Sequence, residues 1–214
     1  MKRALLLALL LLLGAKFAAL SIEPYGDQVF DLATGVTTLP QGGVIHDNEN
    51  DLSIDANYIE YKENEYVLAK EAKTTADKVS FRAASLRYLP AEDSVSLQGG
   101  LSLDTAEIKQ LSAKSGTLFL KDGVAVLSGD VRAAEPELQA AWLIADYKNG
   151  TALLMAPYQF KDESLGVTLR GKNPEKPLFV RFSKDGKKTS ASSKAPPQIK
   201  ERLMQFAEKA AREK

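Results

Sequence analysis

The side chains best suited to chemistry in this sequence are few, and they lie together near residue 46. His46 is the only histidine, and Asp47 follows it directly, a pairing in which a carboxylate can orient a general base. The chain has no cysteine, which excludes a thiolate nucleophile, a thiolate metal site and a disulfide framework. Because no second histidine or cysteine completes a catalytic set, we expect His46 to be a solvated loop residue and the protein to have no catalytic activity.

A second candidate is the acidic stretch 47–51, which places carboxylate and amide oxygens at alternate positions, as calcium-binding loops do. Leu52 stands where such a loop needs glycine for its sharp turn, and no acidic residue follows at the closing position. The sequence therefore predicts an acidic turn before the first strand and no metal site. We also expect no cofactor and no nucleic-acid partner.

The composition is that of a globular protein with an uneven distribution of charge. The chain has 214 residues, of which 44% are hydrophobic and 26% charged, and its formal net charge is zero. Residues 22–171 hold 13 Lys or Arg against 23 Asp or Glu, whereas residues 172–214 hold 12 against 5. An acidic body therefore carries a basic tail.

The first 21 residues have the pattern of a secretory signal peptide. Met1-Lys2-Arg3 is a positively charged start, and the apolar run Ala4–Leu13 follows it. A helix over this run is too short for the ~30 Å hydrocarbon core of a membrane. Cleavage after Ser21 satisfies the small-residue rule, so the sequence predicts that residues 1–21 are removed and that the mature chain is periplasmic.

A repeat with a period near 28 residues runs through the acidic body, and such a period is typical of stacked supersecondary units. Two sets of markers carry it, an alanine series and a leucine series, and the spacings within each set lie between 27 and 30 residues. The markers are Ala56, Ala83, Ala113 and Ala140, and Leu68, Leu97, Leu127 and Leu154.

Within each unit, apolar and polar residues alternate, which is typical of half-buried strands. Asp122-Gly123 and Asn149-Gly150 lie between such strands and predict hairpins with two-residue loops. The inward parity changes between Ala56 and Ile59 and between Ala83 and Leu86, as an extra residue at a corner of a sheet would produce. Each unit is thus predicted to be a strand, a corner, a strand, a turn and a third strand.

No single unit can bury its apolar face, so the units must stack, and the pattern predicts an all-β open jelly roll of short antiparallel strands. Large aliphatic residues alternate with alanines at the inward positions. These positions are Ile54, Ala56, Ile59, Tyr61, Phe81, Ala83, Leu86, Tyr88, Val95, Leu97, Leu111, Ala113, Leu118, Leu120, Val126, Ala140, Leu143, Ala145, Ala152 and Leu154.

The body resembles the OstA-like family of lipopolysaccharide-transport proteins over residues 36–171. The resemblance is carried by the hydrophobic-x-Ala corners, by Leu86-Arg-Tyr88, by Val95-Ser-Leu97-Gln-Gly99 and by Val126–Val131. The chain departs from the repeat at Lys70, where later units have glycine, and at Gly116, where other units have Ile59 or Leu86. The resemblance identifies the family but not whether the chain is the soluble bridge protein or its membrane-anchored relative.

The resemblance implies a periplasmic carrier of lipopolysaccharide-type lipids that holds acyl chains between two sheets and acts in outer-membrane assembly. The inward positions are then the lipid contacts, and alanines there leave room for alkyl chains, each methylene contributing ~0.8 kcal/mol. It also implies head-to-tail contact with other jelly rolls through edge strands, near 35–45 and 167–171. The alternative is a structural or adaptor protein of the cell envelope, with no catalytic activity, whose interior is closed.

The regular alternation fades after Gly171. A basic linker, 172–196, is predicted to contain one short strand at 178–182, and Pro197 begins a helical tail, 197–214, whose helix reaches about Arg212. The amphipathic helix carries Ile199, Leu203, Phe206 and Ala210 on one stripe. Three roles stay open for this helix: contact with an anionic membrane surface, docking on a partner, or covering the end of the roll.

Overall fold

The computed structural model describes residues 20–76, 79–104, 108–162, 166–182 and 189–212. The charged start and apolar run of the predicted signal peptide lie outside the described residues. Within these ranges the chain forms sixteen strands and one long helix: β1 (Leu20–Pro24), β2 (Val29–Asp31), β3 (Val36–Leu39), β4 (Gly43–Asp47), β5 (Leu52–Ala56), β6 (Tyr58–Lys62), β7 (Tyr66–Ala76), β8 (Val79–Leu89), β9 (Ser94–Asp104), β10 (Leu111–Phe119), β11 (Val124–Ala133), β12 (Leu138–Asp146), β13 (Thr151–Asp162), β14 (Val167–Gly171), β15 (Leu178–Phe182), β16 (Thr189–Ser192) and α1 (Pro197–Arg212).

The strands form one antiparallel sheet that is folded into two facing layers. Strands β7 to β13 follow one another in the sheet, and each of them bends near its middle. Layer A contains β2, β3, β6, β15, β16 and the halves of the long strands that flank the turns 89–94, 119–124 and 146–151. Layer B contains β1, β4, β5, β14 and the other halves. The result is an open β-jelly roll, and the predicted fold class is confirmed.

The bend between the layers lies where the sequence predicts corners. Asn57 separates β5 in layer B from β6 in layer A, and the pairing of β8 with β9 shifts between Arg82 and Ser85. Gly99 has a φ of +80°, and an added Cβ there would lie 2.7 Å from the Ala84 Cβ. Glycine is therefore required at this point, both for its backbone angle and for the close approach of β8.

The two predicted hairpins are present, but their loops have four residues and not two. Phe119 pairs with Val124 across one loop, and Asp146 pairs with Thr151 across the other. Gly123, with a φ of +67°, ends the first loop, and its N–H donates to the Phe119 carbonyl at 2.9 Å. The last loop position is the one that needs left-handed backbone, so the glycine marked the end of each loop rather than its centre.

The sheet extends beyond both predicted boundaries of the body. Strand β1 begins at Leu20 and pairs with β4, so cleavage after Ser21 would remove two residues of a strand. At the other end, β15 has the bounds predicted for it but pairs with β13, and β16 pairs with β15. Besides the predicted strand, the segment 172–196 thus contains β16, and both strands belong to the sheet. The reason is that β14 pairs with the layer B half of β13 and leaves its layer A half available to β15.

Helix α1 packs on the outer face of layer A and does not cover an end of the roll. All four residues of its predicted apolar stripe contact a helix-side cluster, so the sheet and not a membrane occupies that stripe. In the described part of the chain, no helix is both long and apolar enough to cross a membrane. The buried members of the helix-side cluster are Phe119, Val124, Val126, Ile144, Leu153, Phe179, Leu203, Ala207 and Ala210.

Candidate functional site

The space between the layers holds the interior cluster, a single group of buried apolar side chains that runs from Leu39 to Phe182. Because side chains alternate across each strand, every second residue of the long strands points into this space. Most of the predicted inward positions are members: Ile54, Ala56, Ile59, Tyr61, Phe81, Ala83, Leu86, Tyr88, Val95, Leu97, Leu111, Ala113, Leu118, Leu120, Ala140, Leu143, Ala152 and Leu154. Ala145 is partly buried and packs against the same cluster.

Val126 is the exception among the predicted inward positions. It belongs to the helix-side cluster, on the opposite face of β11, while Ala125 and Leu127 point into the interior. Strand β11 is buried on both faces here because α1 covers its outer side, so its sequence is apolar at every position from Val124 to Leu127. The alternation that distinguishes the two faces is therefore absent from this strand, and the predicted parity was wrong.

The four marker alanines have equivalent places in the structure. Each lies in layer B just before its strand bends into layer A, and all four belong to the interior cluster and are at most 6% exposed. The leucine series is less regular, since Leu68 is only half-buried and Ala69 is the interior residue beside it. The positive-φ bend residue of this strand is Glu71, one position later than the repeat predicted, which turns Leu68 to the outer face.

Half of the interior cluster was not predicted. Some of the missed residues carry a clear signal, since Leu101 and Leu103 alternate with serine directly after the Gly99-Gly100 bend. Others lie in strands at the two ends of the sheet, where strands were predicted near 35–45 and at 178–182 but no inward residues were assigned. The missed members are Leu39, Ile45, Leu52, Val67, Ala69, Ala72, Ala76, Leu101, Leu103, Ile108, Ala125, Leu127, Val131, Ala133, Leu138, Phe160, Leu178, Val180 and Phe182.

A cavity of about 350 Å³, here called the mouth, lies at the side of the roll opposite the bend. Turns at the tips of the two layers face each other there, so the mouth is the place where the folded sheet is open. Leu120 and Tyr147, which line it, also contact the interior cluster. Its lining residues are Glu49, Asn50, Asp51 and Ala76 from layer B, and Leu120, Lys121, Tyr147 and Lys148 from layer A.

Beside the mouth, a hydrogen-bonded group joins the two layers. The Tyr88 hydroxyl, on layer A, donates to Oδ2 of Asp47 at the tip of layer B. Asn50 Nδ2 donates to the Tyr88 oxygen at 3.0 Å and to Asp47 Oδ2 at 3.0 Å. The Asp47 carboxylate also caps its own turn by accepting the N–H groups of Glu49 and Asn50. Asn50 is thus shared between this group and the lining of the mouth.

The electrostatics of this region follow from burial and from the sign of charge on each rim. Burial, and then the hydrogen bond to Asp47, raise the pKa of Tyr88 well above its usual value, so the phenol stays protonated and remains a donor. Glu49 and Asp51 stand on the layer B rim, whereas Lys121 and Lys148 stand on the layer A rim. The two rims therefore attract each other across the opening.

One interior hydroxyl near the mouth has no partner. Thr74, on β7, is 1% exposed, and its Oγ1 makes no hydrogen bond in the described part of the chain. It pairs across the sheet with Ile54 and Phe81, both members of the interior cluster. Ser94 carries a second such hydroxyl, but it pairs with Phe119 and so faces the helix side.

A second cavity, of about 580 Å³, follows the outside of the bend near the last strands. Its cationic residues are Lys114, Arg170 and Lys172, and Asp130 in its wall is paired with Arg132 at 2.8 Å. All of these side chains are exposed, and Arg170 Nε is bonded to Gln159 at 3.0 Å. The charged side chains of this cavity are thus exposed to solvent, and Ala140 and Tyr158, which also line it, contact the interior cluster.

The residues with catalytic potential lie in β4 and in the turn that follows it. His46 lies in β4 and not in a loop, with Ser21 and Ser53 as its cross-strand neighbours. The acidic stretch 47–51 is the turn between β4 and β5, as predicted, but four strands precede it, so it does not come before the first strand. Asp47 is buried because its carboxylate caps this turn and accepts from Tyr88.

No protein-family model matches the chain, and no curated protein matches it. Among solved structures, it is similar to that of LptH, described as the LptA-homologous periplasmic component of the lipopolysaccharide transport device from Pseudomonas aeruginosa. The match covers 72% of this chain and 82% of LptH at 9% identity, with a TM-score of 0.27. That TM-score is too low to carry function from LptH to this chain.

Proposed function

We propose that this chain is a periplasmic carrier of acylated envelope lipid, of the lipopolysaccharide type, that acts in outer-membrane biogenesis. The observation that carries the proposal is the interior cluster, which is continuous along the roll and reaches the surface at the mouth. An apolar space between two layers with a lateral opening suits alkyl chains whose polar head stays in water. The interior residues named above are then the contacts to the acyl chains.

The alanines of the interior support this proposal. Beside the four marker alanines, Ala69, Ala72, Ala76, Ala125 and Ala133 also face the space between the layers. Each occupies less volume than the leucine or phenylalanine that a closed core could hold at the same position. If the layers separate by a small amount, alkyl chains can lie along this row, with ~0.8 kcal/mol gained for each buried methylene.

The alternative function is that of a structural or adaptor protein of the cell envelope with a filled core. The observation in its favour is the extent of burial without any ligand: Leu39, Ile54, Ile59, Val67 and Leu143 are all 0% exposed. A core packed to this extent needs no alkyl chain to complete it. The two functions differ in whether the interior opens.

The proposed location is the periplasm, since the predicted signal peptide directs export. Proposed partners are other jelly-roll proteins of the same transport system, which would meet this chain edge to edge. Exposed apolar side chains at the start of the sheet support that contact, because Val29 is 57% exposed, Phe30 56% and Leu32 89%. Any contact of the tail with a membrane surface would have to use the polar face of α1.

The experiment that tests the carrier is extraction of the protein from envelope material, followed by mass spectrometry of bound lipid. We expect stoichiometric acylated lipid with the wild type. Ala83→Trp and Ala113→Phe should sharply reduce it, because each adds bulk inside the interior at a cost of ~1–3 kcal/mol in stability.

The matched control is Ser102→Phe, which adds an aromatic ring on the exposed outer face of layer B, beside Leu101 and Leu103. We expect this variant to retain lipid. Wild type without bound lipid, or equal amounts in the interior and control variants, would favour the closed-core adaptor.

A further inference from the structure

The Thr74 hydroxyl lies inside an apolar space and has no hydrogen-bond partner among the described residues. A buried hydroxyl without a partner is uncommon in folded proteins, since leaving it unpaired forfeits the hydrogen bonds that it makes in water. Neighbouring residues on its face of β7 are alanines, Ala72 and Ala76, neither of which can hydrogen-bond through its side chain. The hydroxyl is therefore free to bond to a molecule that enters the interior.

The position of Thr74 relative to the mouth indicates which part of such a molecule it would meet. Ala76 lines the mouth, and Thr74 lies two residues further along the same face of β7, about 7 Å inward. Ile54 and Phe81 flank it on the neighbouring strands, and Ala72 continues the apolar surface further inward. An acyl chain that enters with its methyl end first keeps its headgroup at the mouth. The atoms that join the chain to the headgroup would then lie beside Thr74, and the methylenes would lie further inward.

We propose that Thr74 is the hydrogen-bond donor for the carbonyl oxygen that links an acyl chain to its headgroup, an ester or amide, at a site just inside the mouth. This inference rests on the proposed function and names a contact within the same site. The Glu49 and Asp51 rim and the Lys121 and Lys148 rim remain in water outside it, where a charged headgroup would lie. The Tyr88 and Asp47 bond stands beside the same opening.

The test compares two fluorescent probes of equal chain length, a pyrene-labelled fatty acid methyl ester and the corresponding pyrene-labelled alkane. Thr74→Val keeps the shape of the side chain and removes only the hydroxyl. We expect it to weaken the ester probe roughly three- to tenfold, the effect of one hydrogen bond, and to leave the affinity for the alkane probe unchanged. The thermal midpoint should not fall, because no bond within the protein is lost.

The matched control is Ser94→Ala, which removes the second unpartnered hydroxyl found among the described residues, on the helix side, and should change neither affinity. An unchanged ester affinity in Thr74→Val, or an equal loss for both probes, would overturn the assignment. Wild type that binds neither probe would overturn the proposed function, and this inference with it. Binding of both probes without discrimination by Thr74 would overturn the inference alone.

Discussion

At the scale of single residues, the least expected feature is the bond between Tyr88 and Asp47. Tyr88 lies in β8 and Asp47 in β4, on different layers, and both are almost fully buried. A buried carboxylate has to be stabilised by hydrogen-bond donors, and among the described residues four neutral groups donate to Asp47: two backbone N–H groups, the Asn50 amide and the Tyr88 hydroxyl. Only the hydroxyl comes from the opposite layer, so it holds the mouth side of the roll together.

We expect Tyr88→Phe to lower the free energy of unfolding by about 1–2 kcal/mol, because the Asp47 carboxylate loses one hydrogen bond while the aromatic ring stays in place. Amide hydrogen exchange in the turn 48–51 should become faster, since the layers are no longer joined there. Urea denaturation and exchange measured by mass spectrometry check the two effects.

The control is Tyr66→Phe, which removes another tyrosine–carboxylate bond, from Tyr66 to Glu60 at 3.0 Å, within layer A. It should cost less than half as much and leave the exchange of residues 48–51 unchanged. A similar effect of both variants on that turn would show that the Tyr88 bond does not join the layers.

At the scale of elements, α1 decides which strands are buried on both faces. Arg202 of the helix forms an ion pair with Asp146 at the end of β12 and donates to the Asp122 carbonyl at 3.2 Å. Phe206 lies 5.0 Å from the Phe119 ring, and Lys209 Nζ lies 4.8 Å from the same ring. These contacts hold α1 over layer A and leave layer B without a helical cover in the described chain.

We expect Arg202→Met to destabilise the protein, because it removes the ion pair between α1 and Asp146. Burial alone would raise the pKa of Asp146, but hydrogen bonds from Asn149 and from Arg202 outweigh it and hold that pKa below its ordinary value. A lowered pKa contributes stability above the unfolded value, near 3.9, and this contribution is lost as the pH falls through the folded value. The variant should therefore lose about 1–2 kcal/mol at pH 7 and clearly less at pH 3.

Urea denaturation at the two pH values measures this difference. Lys161→Met serves as the control, because the Lys161–Glu137 pair at 3.4 Å is exposed on both sides and should contribute under about 0.5 kcal/mol at either pH. An equal loss at pH 7 and pH 3 for Arg202→Met would mean that its methylene packing, and not its charge, holds the helix.

At the scale of the whole molecule, the roll ends in strands that are paired on one side only. Within the described residues, β1 and β2 each have one neighbour at the start of the sheet, and β14 and β16 each have one at its end. The predicted edge at 35–45 was wrong, because β3 and β4 are covered by β2 and β1. The predicted edge at 167–171 is β14, which α1 does not cap, and Val167 there is 42% exposed.

We expect the protein to associate end to end, since unpaired N–H and C=O groups at both ends can pair with another copy and such contacts extend rather than close. Sedimentation at several concentrations should show growth in mass. Replacing Val29 and Phe30 together with lysine should suppress it, because the charges would be buried in the new strand pair.

A lysine pair at Thr75 and Ser102, exposed positions in the middle of the sheet, is the control and should leave the association unchanged. Removal of residues 172–214 is not a suitable test, since it would also remove β15, β16 and the cover of the helix-side cluster. A monomer at every concentration, without binding to other jelly-roll proteins, would contradict the proposed contact.

The local properties of the chain can be predicted from the sequence, because strand alternation, turn glycines and helix amphipathicity depend on neighbours within a few residues. The period of the alanines, the corners near 57 and 84, β15 and α1 were predicted for this reason. The inward positions follow wherever one face of a strand is polar, as in Val79–Ala83.

The tertiary structure alone decides what depends on residues far apart in the chain. Val126 faces outward because α1, more than seventy residues later, covers its strand, and no local pattern shows this. The mouth exists because turns near 49, 120 and 147 meet across the fold. Tyr88 contacts Asp47, and Thr74 has no partner among the described residues beside that opening. Both depend on which distant groups the folding of the sheet brings to a buried polar group.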